Sequence, residues 1–287
     1  MPAEEAVALV PDGATIGLIG GGGGLCEAMA LHEAIEKRFL ETGHPKGMTL
    51  VHALGLGNRK DTGVNRFAHP GMVRKVIGGH WPWSPRMQQM AARDEIEAHV
   101  LPGGVAMQLM REIAAKRPGL FTHVGLGTFI DPRIDGGRMN AAARDTLCEV
   151  VEIGGREYLR YLPFHMDACL LKGSIADEEG NVSLDEEPAN VDSYAMAAAV
   201  RNCGGIVIVQ VREKVKAGAL GARQVRIPAA LVDAIVVDPD QRQGYEIVYD
   251  PAISGQQRVA EAAPHMPEFS IRRIVAERAR RELVDGA

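Results

Sequence analysis

Cysteine is scarce in this chain. Its four residues, Cys26, Cys148, Cys169 and Cys203, form no CxxC pair and no metal-ligand spacing. That argues against a disulfide scaffold or a zinc site and leaves reduced thiols in a cytoplasm as the default. A basic leader is missing too: Met1 to Pro11 carries Glu4 and Glu5 but no Lys or Arg, so a secretory signal is not expected. No apolar run reaches the ~18 residues of a membrane span. Nor is there a basic tract. The cluster Arg272, Arg273, Arg278, Arg280 and Arg281 is interleaved with Glu277 and Glu282, and the net charge is −5, from 37 acids against 32 bases. These features read as a solvated helix face and disfavour nucleic-acid or membrane partners. Tandem repeats and low-complexity segments are absent as well.

What is present is the composition of a packed domain, with 46% apolar and 24% charged residues. A length of 287 residues suffices for one large α/β domain or two small ones. The 33 glycines call for tight turns and close backbone approaches.

Apolar spacing predicts a short helix from Ala3 to Val10, then a buried strand from Thr15 to Ile19, a run of glycines from Gly20 to Gly24, and a helix from Leu25 to Phe39. The order recurs. Met48 to Ala53 leads into Gly55-Leu56-Gly57. Val73 to Ile77 leads into Gly78-Gly79-His80-Trp81 and a helix from Pro85 to Arg93. Ile96 to Leu101 leads into Pro102-Gly103-Gly104 and a helix from Val105 to Ala115. Strands alternating with helices predict an α/β fold with an open, mostly parallel sheet and helices on both faces.

Farther on, Gly154-Gly155 between two short apolar runs marks a hairpin over Val150 to Leu162. Ala168 to Ile175 reads as a strand, with Val182 to Leu184 pairing back across a charged turn. Ser193 to Cys203 reads as a helix closed by Gly204-Gly205. Ile206 to Val211 and Leu231 to Val237 read as buried strands. Asp238 to Phe269 is turn-rich, a connector, and Ser270 caps a last helix from Ile271 to Leu283.

Four glycine-bearing loops therefore fall at the carboxyl ends of strands, the edge that holds ligands in open α/β sheets. The run Gly20, Gly21, Gly22, Gly23 could present free amides and a helix end to a phosphate, a carboxylate or an oxyanion. It could equally be a tight turn. It is no P-loop, since no Gly-Lys-Ser/Thr follows, and no acid ends the second strand to hold a ribose. His80, beside Gly79, and the pair Gly103, Gly104 complete the candidate set. His80 is read either as a polar group of the site or as a structural histidine. The stretch Gly125 to Arg133 either lines a pocket or is a loop pinned by Asp131 and Arg133. Lys172 and the turn Asp177 to Asn181 admit both readings, and Cys26 reads as a small core residue.

Taken in order, Ile77-Gly78-Gly79-His80-Trp81, Gly125 to Arg133, Gly136-Gly137-Arg138-Met139-Asn140, Ala176 to Asn181 and Gly204 to Val211 carry a resemblance. Over nearly the whole chain the sequence resembles the N-terminal, α-type half of family I coenzyme A transferases of the acetate/propionate (short-chain acyl) type. The resemblance implies two similar α/β halves with a site between them, no tightly bound cofactor, and coenzyme A as a substrate. It implies a ping-pong reaction through a glutamyl-CoA thioester. The nucleophilic glutamate belongs to the second, β-type half, so no catalytic residue is expected in this chain, which should be inactive alone and part of an oligomer. On this reading residues 1–237 form the α-type domain, 238–269 a connector and 270–287 the start of the second half, in a separate subunit or the same polypeptide. The family usually has Pro-Gln-Gly where this chain has Pro102-Gly103-Gly104. That departure keeps an acyl-CoA hydrolase or ring-cleaving relative open as an alternative, alongside a non-catalytic binding module of the sugar-phosphate-isomerase-like superfold.

Overall fold

The computed structural model describes residues 1–260 and 268–284. The chain divides into two units, Met1–Gln256 and Gln257–Ala287. In the first, α1 (Ala3–Val7) precedes β1 (Thr15–Leu18), α2 (Met29–Thr42), β2 (Met48–His52), β3 (Val73–Gly78), α3 (Pro85–Ala92), β4 (Glu97–Val100) and α4 (Gly103–Ala114). Short strands β5 (Leu120–Thr122), β6 (Cys148–Ile153) and β7 (Arg156–Tyr161) come next. They are followed by β8 (Ala168–Lys172), β9 (Ile175–Asp177), β10 (Val182–Ser183), α5 (Ser193–Asn202), β11 (Ile206–Val211), β12 (Glu213–Val215), β13 (Val225–Ile227) and β14 (Ala234–Val237).

Seven strands form one sheet in the order β14-β11-β8-β1-β2-β3-β4. Each of its pairings is parallel, so the α/β architecture is the one expected. Successive residues of a strand face opposite sides, and here they feed two separate cores. Leu170 and Ile208 point to the side of Leu31, Ile35 and Met87, which come from α2 and α3. Cys169, Leu171, Val207 and Val209 point to the side of Leu109 and Val200, which come from α4 and α5. Burial on both faces is why β8 and β11 are near-continuous apolar runs. Two smaller sheets, β12-β9-β10-β13 and the antiparallel β5-β7-β6, complete the unit. The expected hairpin is β6–β7, turning through Gly154 and Gly155, both at positive φ.

Several boundaries differ from expectation. Helix α2 starts at Met29 instead of Leu25, because Leu25 bridges back to Gly21 and Cys26 takes a left-handed φ of 57°. Gly103 and Gly104 are not loop residues but the first turn of α4, with Pro102 as its N-cap. The strand expected over Ala168 to Ile175 breaks at Gly173, where a side chain would collide with Val182. Residues 238–256 of the expected connector are packed chain: Gln241 and Gln243 are buried. Residues 261–267 of that connector and the last three residues lie outside the described residues.

The strand order reverses between β1 and β8. Beyond β1 the chain adds β2, β3 and β4 on one side, and beyond β8 it adds β11 and β14 on the other. In the second unit, α6 (Ile271–Arg280) begins at Ser270, whose hydroxyl accepts the Arg273 amide at 3.3 Å as expected of an N-cap, and none of its residues is buried. Among the described residues no helix is long and apolar enough to cross a membrane.

Leu170 sits fully buried in β8, between β1 and β11. Leu170→Ala should cost about 2–5 kcal/mol of unfolding free energy. Urea denaturation followed by far-ultraviolet circular dichroism measures it, and a loss below ~1 kcal/mol would mean that the core collapses around the gap.

Candidate functional site

Because β1 to β4 are adjacent and parallel, the loops at their carboxyl ends share one edge of the sheet. Trp83 joins three of them. A Cβ on Gly22 would stand 2.1 Å from the Trp83 ring, and one on Gly55 would stand 2.5 Å from both Trp83 and His80. Glycine is thus what lets these loops close on the indole. The Arg59 guanidinium covers the same ring, 4.4 Å from its centroid. The third and fourth loops meet over the Ala53 carbonyl. A Cβ on Gly79 would lie 2.0 Å from that oxygen, and one on Gly103 would lie 3.0 Å away. A side chain at 103 would press on this carbonyl, which gives a packing reason for glycine there.

The amides of the glycine run are largely committed. Gly21 donates to the Leu25 carbonyl (2.7 Å), Gly23 to Gly57 (3.1 Å) and Gly24 to Gly21 (3.2 Å). The start of α2 is also closed, since Gln210 on β11 accepts from the Ala30 and Leu31 amides. So the expectation that this run and its helix offer free donors is corrected: the loop folds back on itself and a core glutamine caps the helix. At the start of α4 the amides of Gly103, Gly104 and Val105 also have no acceptor among the described residues, as the first turn of any helix leaves them. Gly104 is exposed, with open space where its Cβ would be.

Sequence reasoning missed the residue that ties the edge together. Glu27 is fully buried. One carboxylate oxygen accepts the Gly57 amide at 2.9 Å, and the other accepts the Tyr245 hydroxyl at 2.5 Å. Its chain fills the space beside Gly20, and its Oε2 lies against Gly63. Tyr245 in turn donates its amide to the Gly23 carbonyl at 2.8 Å. An acid directly after a glycine run and a cysteine was the available signal, but nothing local shows that it is buried.

At the β1/β8 reversal, where open sheets bind ligands, the crevice is filled by the chain itself. Lys172 Nζ stands 3.1 Å from Glu187 Oε2, both side chains inaccessible, and donates to the Arg242 carbonyl at 2.7 Å. Gln241 donates to the Gly173 carbonyl and accepts from Gln210. Lys172 is therefore structural. Cys26 is core as expected, its thiol pushed up to about 12, chiefly by burial.

The remaining candidates sort as follows. His80 is exposed against Gly55, without a hydrogen-bond partner among the described residues. His52 is buried, bonded to the Leu54 carbonyl at 2.8 Å and lowered to about 4 by burial. The Gly125 to Arg133 stretch is a pinned loop. Asp131 takes Arg133 in a two-pronged bond (2.9 and 2.8 Å) and accepts the Gly127 amide, and Arg133 holds its carboxyl far below the usual range. Asp177 likewise staples its turn through the amides of Glu179, Gly180 and Asn181. Trp81 is buried beneath the glycine-loop edge, and Trp83 is half-buried within it. A cavity of about 560 Å³ lies elsewhere, where Arg111, Asp192 and Tyr194 meet Arg226.

The family model described as coenzyme A transferase matches residues 1–238. Caffeate CoA-transferase of Acetobacterium woodii is 40% identical over 99% of this chain and 55% of that enzyme. Acetate CoA-transferase YdiF of Escherichia coli K12 is 37% identical over 100% of this chain and 54% of its own length. The crystal structure of acyl-CoA transferase YdiF from E. coli O157:H7, a thioester complex with CoA, superposes with a TM-score of 0.95 at 37% identity. It covers 100% of this chain and 55% of that one. The chain spans about half the length of the curated relatives it matches.

Burial pushes the Glu27 carboxyl from 4.5 up to about 7, against the hydrogen bonds from Tyr245 and Gly57 that lower it. Between those values the folded state keeps a proton that the unfolded chain has released. Stability therefore falls as pH rises from about 4.5 to about 7, by on the order of 3 kcal/mol from this group. Glu27→Gln should flatten that segment in urea titrations at about pH 5 and about pH 7.5. Equal slopes in the two proteins would show that the group does not titrate there.

Proposed function

This chain belongs to the coenzyme A transferase family, and from that premise we propose that it is the α-type half of an acyl-CoA:carboxylate CoA-transferase. Its substrates are a short-chain acyl-CoA and a free carboxylate such as acetate. The observation that carries the reading is the convergence of the four glycine loops on one sheet edge, with unclaimed amides at the start of α4. Likeness to acetate and caffeate CoA-transferases over essentially the whole chain supports it.

On this reading a glutamate carboxylate from the β-type half attacks the thioester carbonyl. The C–S bond breaks, CoA leaves as the thiolate, and a mixed anhydride remains. The thiolate then attacks the glutamyl carbonyl, the original acyl group departs as its carboxylate, and a glutamyl-CoA thioester is left for the incoming carboxylate to resolve by the same steps in reverse. Each attack builds negative charge on a carbonyl oxygen. The amides of Gly103 and Gly104, at the positive end of α4, are the donors this chain contributes to that oxygen. Gly79 lets the third loop approach Ala53, and so sets the depth of the mouth. Gly20, Gly21, Gly22 and Gly23 form its opposite wall, and His80 is a polar group at the rim. Coenzyme A enters and leaves as a substrate, with no tightly bound cofactor. The β-type half is supplied by the same polypeptide or by a separate subunit, with residues from Ser270 onward opening it, and the chain alone is inactive.

Gly103 favours a second reading. With no side chain there to hold an acceptor carboxylate, water could resolve the thioester, and the enzyme would be an acyl-CoA hydrolase.

Assembled with its β-type half, the protein should move CoA from propionyl-CoA to labelled acetate. CoA release independent of acetate would select the hydrolase, and neither activity would sink both readings. Gly104→Ala keeps the amide and its methyl meets no neighbour, so it should melt as wild type, while the methyl obstructs substrate approach to that amide and kcat/KM falls about tenfold, or ~1.4 kcal/mol. Gly22→Ala should instead lower the melting temperature, because its methyl strikes Trp83.

A further inference from the structure

The opposite edge of the sheet breaks the rule that a doubly covered parallel sheet is apolar on both faces. One register level is polar across four adjacent strands: Thr15 pairs with Thr49, Thr49 with Lys75, and Lys75 with Glu97. The next level, Gly17, Val51 and Ile77, returns to apolar residues before His99. Residues two apart share a face, so the polar row projects to the same side as Val51 and Ile77, the side packed by α4. It lies near the amino ends of the strands, away from the glycine loops. Chain from 145–147 and 162–165 walls it into a cleft of about 400 Å³ with Thr15, Thr49, Lys75 and Ile77 in its lining.

The groups in this cleft are mismatched to a purely structural role. Thr49 is 3% exposed, and its hydroxyl oxygen has no hydrogen-bond partner among the described residues. Both ring nitrogens of fully buried His99, on the next level, also have no hydrogen-bond partner among the described residues, Nε2 standing 4.0 Å from Glu97. The Lys75 ammonium is buried and, among the described residues, pairs with two carboxylates, Glu97 at 3.6 Å and Asp145 at 2.5 Å. Glu97 is fixed in the sheet. Asp145 is different: its side chain is 64% exposed and lies in irregular chain, yet it reaches in to the buried cation. Leu147, Leu162 and Phe164 add an apolar wall beside it.

We propose that this cleft is a second ligand site, which takes a monocarboxylate with an apolar tail in exchange for Asp145. The ligand's carboxylate replaces that of Asp145 on Lys75, and its tail lies against Ile77, Leu147 and Phe164. Charge sets the class. Lys75 faces Glu97, and Arg74 and His165 also line the cleft, so an anion in place of Asp145 keeps the local balance, whereas sulfate carries no tail for the apolar wall. An amine or an alcohol offers no replacement for the displaced carboxylate. The site is independent of the transferase reading, because it uses none of the residues of the glycine-loop edge.

The test is calorimetric titration of the full chain with sodium hexanoate, with hexylamine, hexanol and sulfate as controls. Wild type should bind hexanoate saturably, and the controls should not bind. Asp145→Ala should bind at least tenfold tighter, since no internal carboxylate competes. Thr49→Val should bind several-fold weaker, and Lys75→Met should not bind. Gly104→Ala, at the other edge, should bind as wild type. Should Lys75→Met fail to fold, Asp145→Ala and Thr49→Val decide the matter. The proposal is overturned if wild type shows no saturable binding, even where Asp145→Ala does, since that gap would be of the variant's making. It is equally overturned if affinity ignores Asp145→Ala, or if binding is lost in Gly104→Ala.

Discussion

One buried carboxylate holds the carboxyl edge of this sheet in shape. Glu27 receives the second glycine loop through the Gly57 amide and the packed segment 238–256, a late strap, through the Tyr245 hydroxyl. The strap returns to the first loop through the Gly23 carbonyl. A carboxylate out of water is costly unless it is bonded, and these bonds are available only when the three segments are assembled together. Without Glu27 the loops would keep their glycines but lose the point at which they meet.

Around that point the edge divides between filled and open ground. The β1/β8 reversal, where a ligand crevice would ordinarily form, is occupied by the Lys172–Glu187 ion pair and the glutamines of the strap. The open ground lies beside it, over β2 to β4, where Trp83 plugs the space beneath the glycines and α4 begins with uncommitted amides. A helix start close to the site thus remains available, while that of α2, beside the glycine run, is closed by Gln210. The difference comes from neighbours: α2 has a core glutamine against its first turn, and α4 has the mouth.

The two edges of the sheet are built on contrasting principles. At the carboxyl ends, backbone comes close to backbone and ring, and polar side chains such as Glu27 serve to position main chain. At the amino ends, a row of side chains carries the polarity, and a buried ammonium is balanced by one fixed and one exposed carboxylate. Both arrangements place charge next to apolar strands without stranding it.

The sequence by itself located the seven strands of the parallel sheet and their alternation with helices. Ile206 to Val211 read as a buried strand, Gly154-Gly155 marked the β6–β7 hairpin, and glycines ending successive strands located the edge where the loops gather, because these signals are local in spacing. It also determined that Ser270 caps a helix. It could not reveal which glycine amides are free, since Gly23 is claimed by Gly57 and the α2 amides by Gln210, far along the chain. Nor could it show that Glu27 is buried under Tyr245, 218 positions away, or that Thr15, Thr49, Lys75 and Glu97 stand in one row. Those facts depend on register and on contacts between distant segments, which exist only after the sheet has closed and each polar group has found, or failed to find, its partner.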